Sequence, residues 1–205
     1  MRVKKNMHRE EKIAEVFSRY GGVMRRKELM QEGIHACTIA RYEESGYIQK
    51  IRTGYYEWIG EDGPNEYRMI SRIFPEAILC MGSALDVYEY SDRVPRCWHL
   101  AVPHNATRSK FRREYPAVKA YFRAPGSLSV GAEKMEYAGC MISIYDRERT
   151  IIDCIAYRNR MDREVFVKAI QAYCVDPKRD VTRLMRYARE LKMEKPVKEL
   201  IGIWL

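Results

Sequence analysis

The side chains of this chain best suited to chemistry are cationic or amphipathic, and they crowd into one segment. Arg25, Arg26, Lys27, His35, Cys37, Thr38, Arg41, Lys50 and Arg52 all fall between residues 25 and 52. Arginine can donate two hydrogen bonds to a guanine edge, and threonine can meet a base or the thymine methyl. Lysine and arginine along a hairpin can neutralise phosphates. A histidine at the start of a helix lies where free backbone amides attract an anion. The chemistry implied is recognition of a polyanion, with no covalent bond made or broken.

The elements that must position these groups follow from apolar spacing. Ile13, Val16, Phe17 and Tyr20 recur at helical intervals and predict a first helix over about 8–19, broken by Gly21-Gly22. Arg25 to Gln31 reads as a short second helix with Leu29 and Met30 inward, ended by Gly33. A third helix is expected from His35 to Ser45, stopped by Gly46, with Ile39 and Tyr42 on the core side. Cys37, Thr38, Arg41 and Glu44 fall on the complementary stripe. Tyr47–Arg52 and Tyr55–Ile59 read as two strands around Thr53-Gly54, with Lys50 and Arg52 flanking the tip. Tyr55, Tyr56 and Trp58 are placed to close the core. Helix, turn, helix and hairpin make a winged helix-turn-helix, which lays one helix in a DNA major groove. Glu43 and Glu44 sit awkwardly in it, because carboxylates repel phosphates; they are expected to face away or to accept from cytosine.

The remainder reads as α+β, giving a winged helix-turn-helix domain over 1–62 and a mixed C-terminal domain over 66–205 with a small sheet and a helical tail. Glu61 to Asn65 is polar and turn-prone. Ser71 to Tyr90 reads as one helix. Trp98–Val102, Val118–Arg123 and Cys140–Tyr145 read as strands. Arg108 to Arg113 is a basic cluster read as a solvated loop. Asp146, Asp162 and Asp180 are expected helix N-caps, and Pro196 opens a last helix ending in Ile203, Trp204 and Leu205. Within the first of these helices Arg149 and Asp153 are spaced for an ion pair, and Thr150 for a bond to a carbonyl of its own helix.

Bulk properties agree with a polyanionic partner. The chain of 205 residues carries a formal charge of +9. Residues 1–60 hold 12 Lys and Arg against 8 Asp and Glu, residues 61–145 hold 11 against 10, and residues 146–205 hold 14 against 10. The basic character thus sits at both ends. No apolar run approaches the ~18 residues that span a bilayer. The basic N-terminus is not followed by an apolar segment, so no signal peptide is expected. The six cysteines, at 37, 80, 97, 140, 154 and 174, form no C-x-x-C pair and have no zinc-finger histidines. Free thiols, no metal, no cofactor and a bacterial cytoplasmic location are the expectation.

No motif for catalysis stands out. G-x-S-x-G, H-E-x-x-H and a P-loop are all missing from the sequence. The histidines at 8, 35, 99 and 104 are dispersed. Glu190-Leu191-Lys192 fits the E-x-K of a metal-dependent nuclease, but in a helical pattern where that motif needs a strand. The chain is read as a non-enzyme.

A family resemblance then emerges from particular residues. Gly21-Gly22-Val23-Met24, Glu28-Leu29, Gly33-Ile34, Ile39, Gly46-Tyr47-Ile48 and Gly54-Tyr55-Tyr56 form a first block. Ser83-Ala84-Leu85 forms a second, Asp146 to Asp153 (DRERTIID) a third, and Leu184 to Arg189 with the following Lys-Met-Glu-Lys-Pro a fourth. Together they resemble the AbiEi-type antitoxins of bacterial abortive-infection, or type IV, toxin–antitoxin systems. The resemblance implies an N-terminal domain that binds inverted repeats upstream of its own operon in double-stranded DNA and represses it. It implies a C-terminal domain that counteracts a cognate nucleotidyltransferase-like toxin, with or without a stable complex. Glu43-Glu44 departs from the family pattern, where basic residues are common. The alternative is a stand-alone winged-helix regulator whose C-terminal domain senses a ligand in a pocket within residues 70–145. Arg183, Arg186 and Arg189 are candidate surface residues of the C-terminal domain, read more simply as a solvated helix face.

Overall fold

The computed structural model describes residues 2–59, 64–112 and 115–202, with side chains from residue 10 onward. Glu61 to Gly63, Arg113 and the terminal Ile203, Trp204 and Leu205 lie outside the described residues. The chain divides into two compact units, residues 1–75 with 138–140, and residues 76–137 with 141–205.

The first unit runs α1 (Arg2–Arg19), β1 (Val23–Arg25), α2 (Arg26–Gln31), α3 (Ala36–Glu44), β2 (Ile48–Arg52), β3 (Tyr55–Trp58) and α4 (Glu66–Ile73). Its three strands are ordered β1-β3-β2 and all pair antiparallel. This is a winged helix-turn-helix, and β1 completes the sheet that the hairpin begins. Ile13, Phe17, Met24, Leu29, Ile34, Ile39, Tyr42, Ile48 and Tyr56 form one core beneath α3. Burial of such side chains stabilises by roughly 1.5–3 kcal/mol each. Trp58 packs against this core, and Tyr47 stacks on it at 5.6 Å. Met30 departs from the sequence reading: it is 44% exposed, while Leu29 is wholly buried. A six-residue helix has room for one inward turn, and Leu29 takes it.

The second unit contains β4 (Ile78–Leu79), α5 (Met81–Val87), β5 (Trp98–Pro103), β6 (Val118–Arg123), α6 (Pro125–Ser129), β7 (Ala132–Tyr137), β8 (Cys140–Tyr145), α7 (Arg147–Ala156), α8 (Arg163–Val175), α9 (Val181–Glu190) and α10 (Glu194–Ile201). Five strands form a sheet ordered β6-β5-β4-β8-β7. It is mixed: β4 is antiparallel to β5 and parallel to β8, and β5 is parallel to β6. The single helix expected over 71–90 is two helices with a strand between them. Pro75 cannot continue α4, and Ile78-Leu79 enters the sheet centre beside Leu100 and Ala101. Strand β7 and helix α6 have no counterpart in the sequence reading.

The segment from Asp146 to Asp153 ties this unit together. Asp146 caps α7 by accepting from the Arg149 amide at 2.8 Å, and Tyr187 donates to it at 3.1 Å. Arg147 pairs with Asp176 at 2.9 Å. Buried Glu148 accepts from the Asp180 amide at 2.8 Å, where α9 begins. Arg149 pairs with Asp153 at 3.1 Å and donates to the carbonyls of Ser127 and Val130 at 2.7 and 2.9 Å. Thr150 donates to the Tyr145 carbonyl at 3.2 Å, at the end of β8, and not to a carbonyl of its own helix as expected. Asp162 and Asp180 cap α8 and α9. The last helix opens at Glu194, two residues before Pro196.

Candidate nucleic-acid interface

Helix α3 is held by its inner face and offers the other. Ile39 and Tyr42 are buried, while His35, Cys37 and Arg41 are exposed and Thr38 is half-buried. Cys37, Thr38 and Arg41 therefore share one face, as their spacing predicts, and His35 stands at the helix start. His35 is the N-cap in extended conformation and makes no side-chain cap bond, so α3 starts with amides not satisfied by a capping side chain. The Arg41 guanidinium lies 5.1 Å from the Tyr42 ring. Glu44 is exposed and Glu43 half-buried on the same helix.

The wing is tied to α2 through the backbone. Gly54 adopts φ +79° at the hairpin tip, the left-handed region that glycine enters without strain. Its carbonyl accepts from the Arg26 amide at 2.8 Å. Glu28 accepts from the Arg25 amide at 2.7 Å and from Arg72 at 2.7 Å, which fixes the start of α2 against α4. Arg25, Arg26 and Lys27 are all exposed beside this junction.

Lys50 and Arg52 part company. Lys50 is exposed on β2. Arg52 is half-buried, its guanidinium 4.2 Å from the Tyr55 ring and 5.8 Å from Phe74. Arg25 approaches the same tyrosine at 5.6 Å. Tyr55 thus stands between two guanidiniums, because both Arg25 and Arg52 lie opposite it in the strand register. The sequence alone places Tyr55 with Tyr56 and Trp58 in closing the core; Tyr56 and Trp58 do so, and Tyr55 organises the two arginines. The signal was the pairing of β1 with β3, which brings Arg25 to the wing.

Elsewhere the other candidates settle into ordinary roles. Arg108 to Phe111 forms a short 3-10 turn, with Arg108 4.4 Å from the Phe122 ring. Arg183 lies 3.5 Å from Asp180, Arg186 rests on Tyr187 at 5.2 Å, and Arg189 is 3.6 Å from Glu194. Glu190 ends α9 and Lys192 follows in a left-handed conformation, so the E-x-K tripeptide is not on a strand. Cys80 and Cys154 are buried and burial pushes both thiols up, whereas Cys37 is exposed. No cluster of His, Cys, Asp and Glu fit for a metal occurs among the described residues. No helix among them is long and apolar enough to cross a membrane.

The fold and the exposed face of α3 define a winged-helix class, and comparison finds a family match over part of the chain. Residues 11–57 match the family described as transcriptional regulator, AbiEi antitoxin. The matched stretch covers α3 and the wing as far as Glu57. The chain also resembles in structure the RV2827C protein from Mycobacterium tuberculosis, with a TM-score of 0.60, 13% identity, and 89% of this chain and 77% of that chain covered. At that identity the likeness is one of fold. None of the curated proteins matches the chain.

Proposed function

We propose that the chain is a DNA-binding antitoxin and autorepressor. Its N-terminal unit binds inverted repeats upstream of its own operon, with α3 in the major groove and the wing along the phosphates. Its second unit counteracts a cognate nucleotidyltransferase-like toxin. The observation that carries this reading is the exposed face of α3, where Cys37, Thr38 and Arg41 stand, with His35 at the helix start, on a helix whose opposite face is locked into the core. The family match over residues 11–57 supports it. The expectation of no catalysis and of a cytoplasmic location belongs to the same proposal.

The test is a gel-shift titration on the DNA upstream of the gene, with scrambled DNA as competitor, at two salt concentrations. Specific and salt-sensitive binding is expected. Affinity no tighter than for scrambled DNA would sink autorepression. A second reading, a stand-alone regulator with a ligand-sensing unit, is favoured by a cavity of about 540 Å³ in the second unit. A toxin gene beside this one separates the two.

A further inference from the structure

The cavity of about 540 Å³ lies wholly within the second unit and falls inside the size range of small-molecule sites, roughly 300–1,000 Å³. Met81, Tyr121, Phe122, Tyr157 and Met161 give it an apolar, aromatic lining. Tyr121 and Tyr157 meet edge to face at 5.2 Å. Four cations also line it, Arg93, Arg96, Lys119 and Arg160, against a single carboxylate, Asp162. Arg93 is committed to that carboxylate at 3.1 Å and to Glu164 as well. Arg96, Lys119 and Arg160 are exposed, and none of the three has an ion-pair partner among the described residues. They come from separate segments: the loop before β5, strand β6, and a 3-10 turn at Arg158–Arg160.

His99 completes the wall. Its Nδ1 accepts from the Gly82 amide at 3.2 Å, which leaves the proton of the neutral ring on Nε2. Burial, and then the nearby Lys119, hold its pKa down at about 4, so the ring is neutral near pH 7 and offers a donor without adding charge. Met81, in the same wall, holds φ +46°, a left-handed conformation that costs a non-glycine residue energy.

We propose that this cavity binds a nucleoside monophosphate, with its base against the aromatic lining and its phosphate among Arg96, Lys119 and Arg160. The charge argues for phosphate, because three cations without an ion-pair partner, one of them Lys119 at 5.7 Å from the Tyr121 ring, match a dianion better than a single carboxylate. The rings argue for a base, since every nucleobase offers a flat face to an aromatic side chain. A free nucleotide and the terminal nucleotide of a strand share this chemistry. The inference rests on the cavity alone and holds for an antitoxin or for a stand-alone regulator.

Calorimetric titration of the full chain with AMP, GMP, CMP and UMP tests it. Adenosine, inorganic phosphate and benzoate serve as comparison ligands. At least one nucleotide is expected to bind one to one, about tenfold or more tighter than any of the three. Lys119→Ala and Arg160→Ala should each weaken it about tenfold with an unchanged unfolding midpoint, both side chains being exposed. Tighter binding of a 5′-phosphorylated oligonucleotide than of the free nucleotide assigns the strand terminus, and the reverse assigns the free form. No saturable heat with any nucleotide would overturn the proposal. So would equal binding of benzoate or phosphate, or loss of binding in Arg26→Ala with Lys27→Ala while the two cavity variants retain it.

Discussion

The Arg149 guanidinium and the Asp153 carboxylate face each other at 3.1 Å, one turn apart on α7, with side-chain exposures of 1% and 3%. Asp153 also stands 3.0 Å from Arg123, so one carboxylate balances two cations shielded from water. Removing one member of a buried pair leaves the other charge uncompensated, at a cost of about 3–5 kcal/mol. Asp153→Ala is therefore expected to lower unfolding free energy by about that amount. Urea unfolding checks it, and a midpoint equal to the parent's would show that the carboxylate contributes nothing.

Asp146 gives stability a pH dependence of defined sign. Burial raises its carboxyl from 3.8 to about 6, against the pull of the Arg149 amide. A carboxyl raised in the folded state takes up a proton on folding. Its contribution is complete below about pH 4 and is lost as pH rises toward about 6. Asp146→Asn keeps an acceptor for the Arg149 amide but cannot titrate. The variant should gain on the parent as pH rises through that window. A stability difference constant across it would refute the assignment.

Arg41→Ala tests base reading by α3. Specific operator binding should weaken by about 1–3 kcal/mol while random DNA is held nearly as before. An equal loss on both would make Arg41 a phosphate contact.

Lys50 and Arg52 should behave differently, because one is exposed and the other packed. Lys50→Ala should weaken all DNA about equally and make the salt slope shallower by about one unit. Arg52→Ala should in addition lower the stability of the first unit by about 0.5–1 kcal/mol, through loss of the contact with Tyr55. Salt-dependent titrations with thermal melts of both variants separate the two effects. Identical behaviour in both assays would show that the packing of Arg52 is inconsequential.

What the sequence disclosed depended on period and length. Ile13, Phe17, Ile39 and Tyr42 mark regular stripes, so α1 and α3 could be read directly. Val23–Arg25 could not, because three residues carry no period and become a strand only by pairing with Tyr55 to Glu57. Ile78-Leu79 was hidden inside an apolar run, although Pro75 was a stop signal available in the sequence. Ala132–Tyr137 mixes charged and apolar residues at the end of the sheet, where one side of a strand is left unpaired. The spacing of Arg149 and Asp153 showed that they could pair. Their complete burial depends on α6 and the carbonyls of Ser127 and Val130, which no local pattern announces. The outward face of α3 followed from its inward one, whereas the stacking of Arg52 required the strand register.

The bond from the Arg26 amide to the Gly54 carbonyl joins the wing tip to the helical layer before any partner arrives. A hairpin held in this way loses little conformational freedom when it docks. The entropy of ordering it is spent during folding, so more of each phosphate contact is available as affinity. A slack wing would have to be ordered at every encounter. On the proposed docking, this one would meet the duplex already in shape, which would favour tight grip on a rigid groove and leave little tolerance for half-sites whose backbone lies elsewhere.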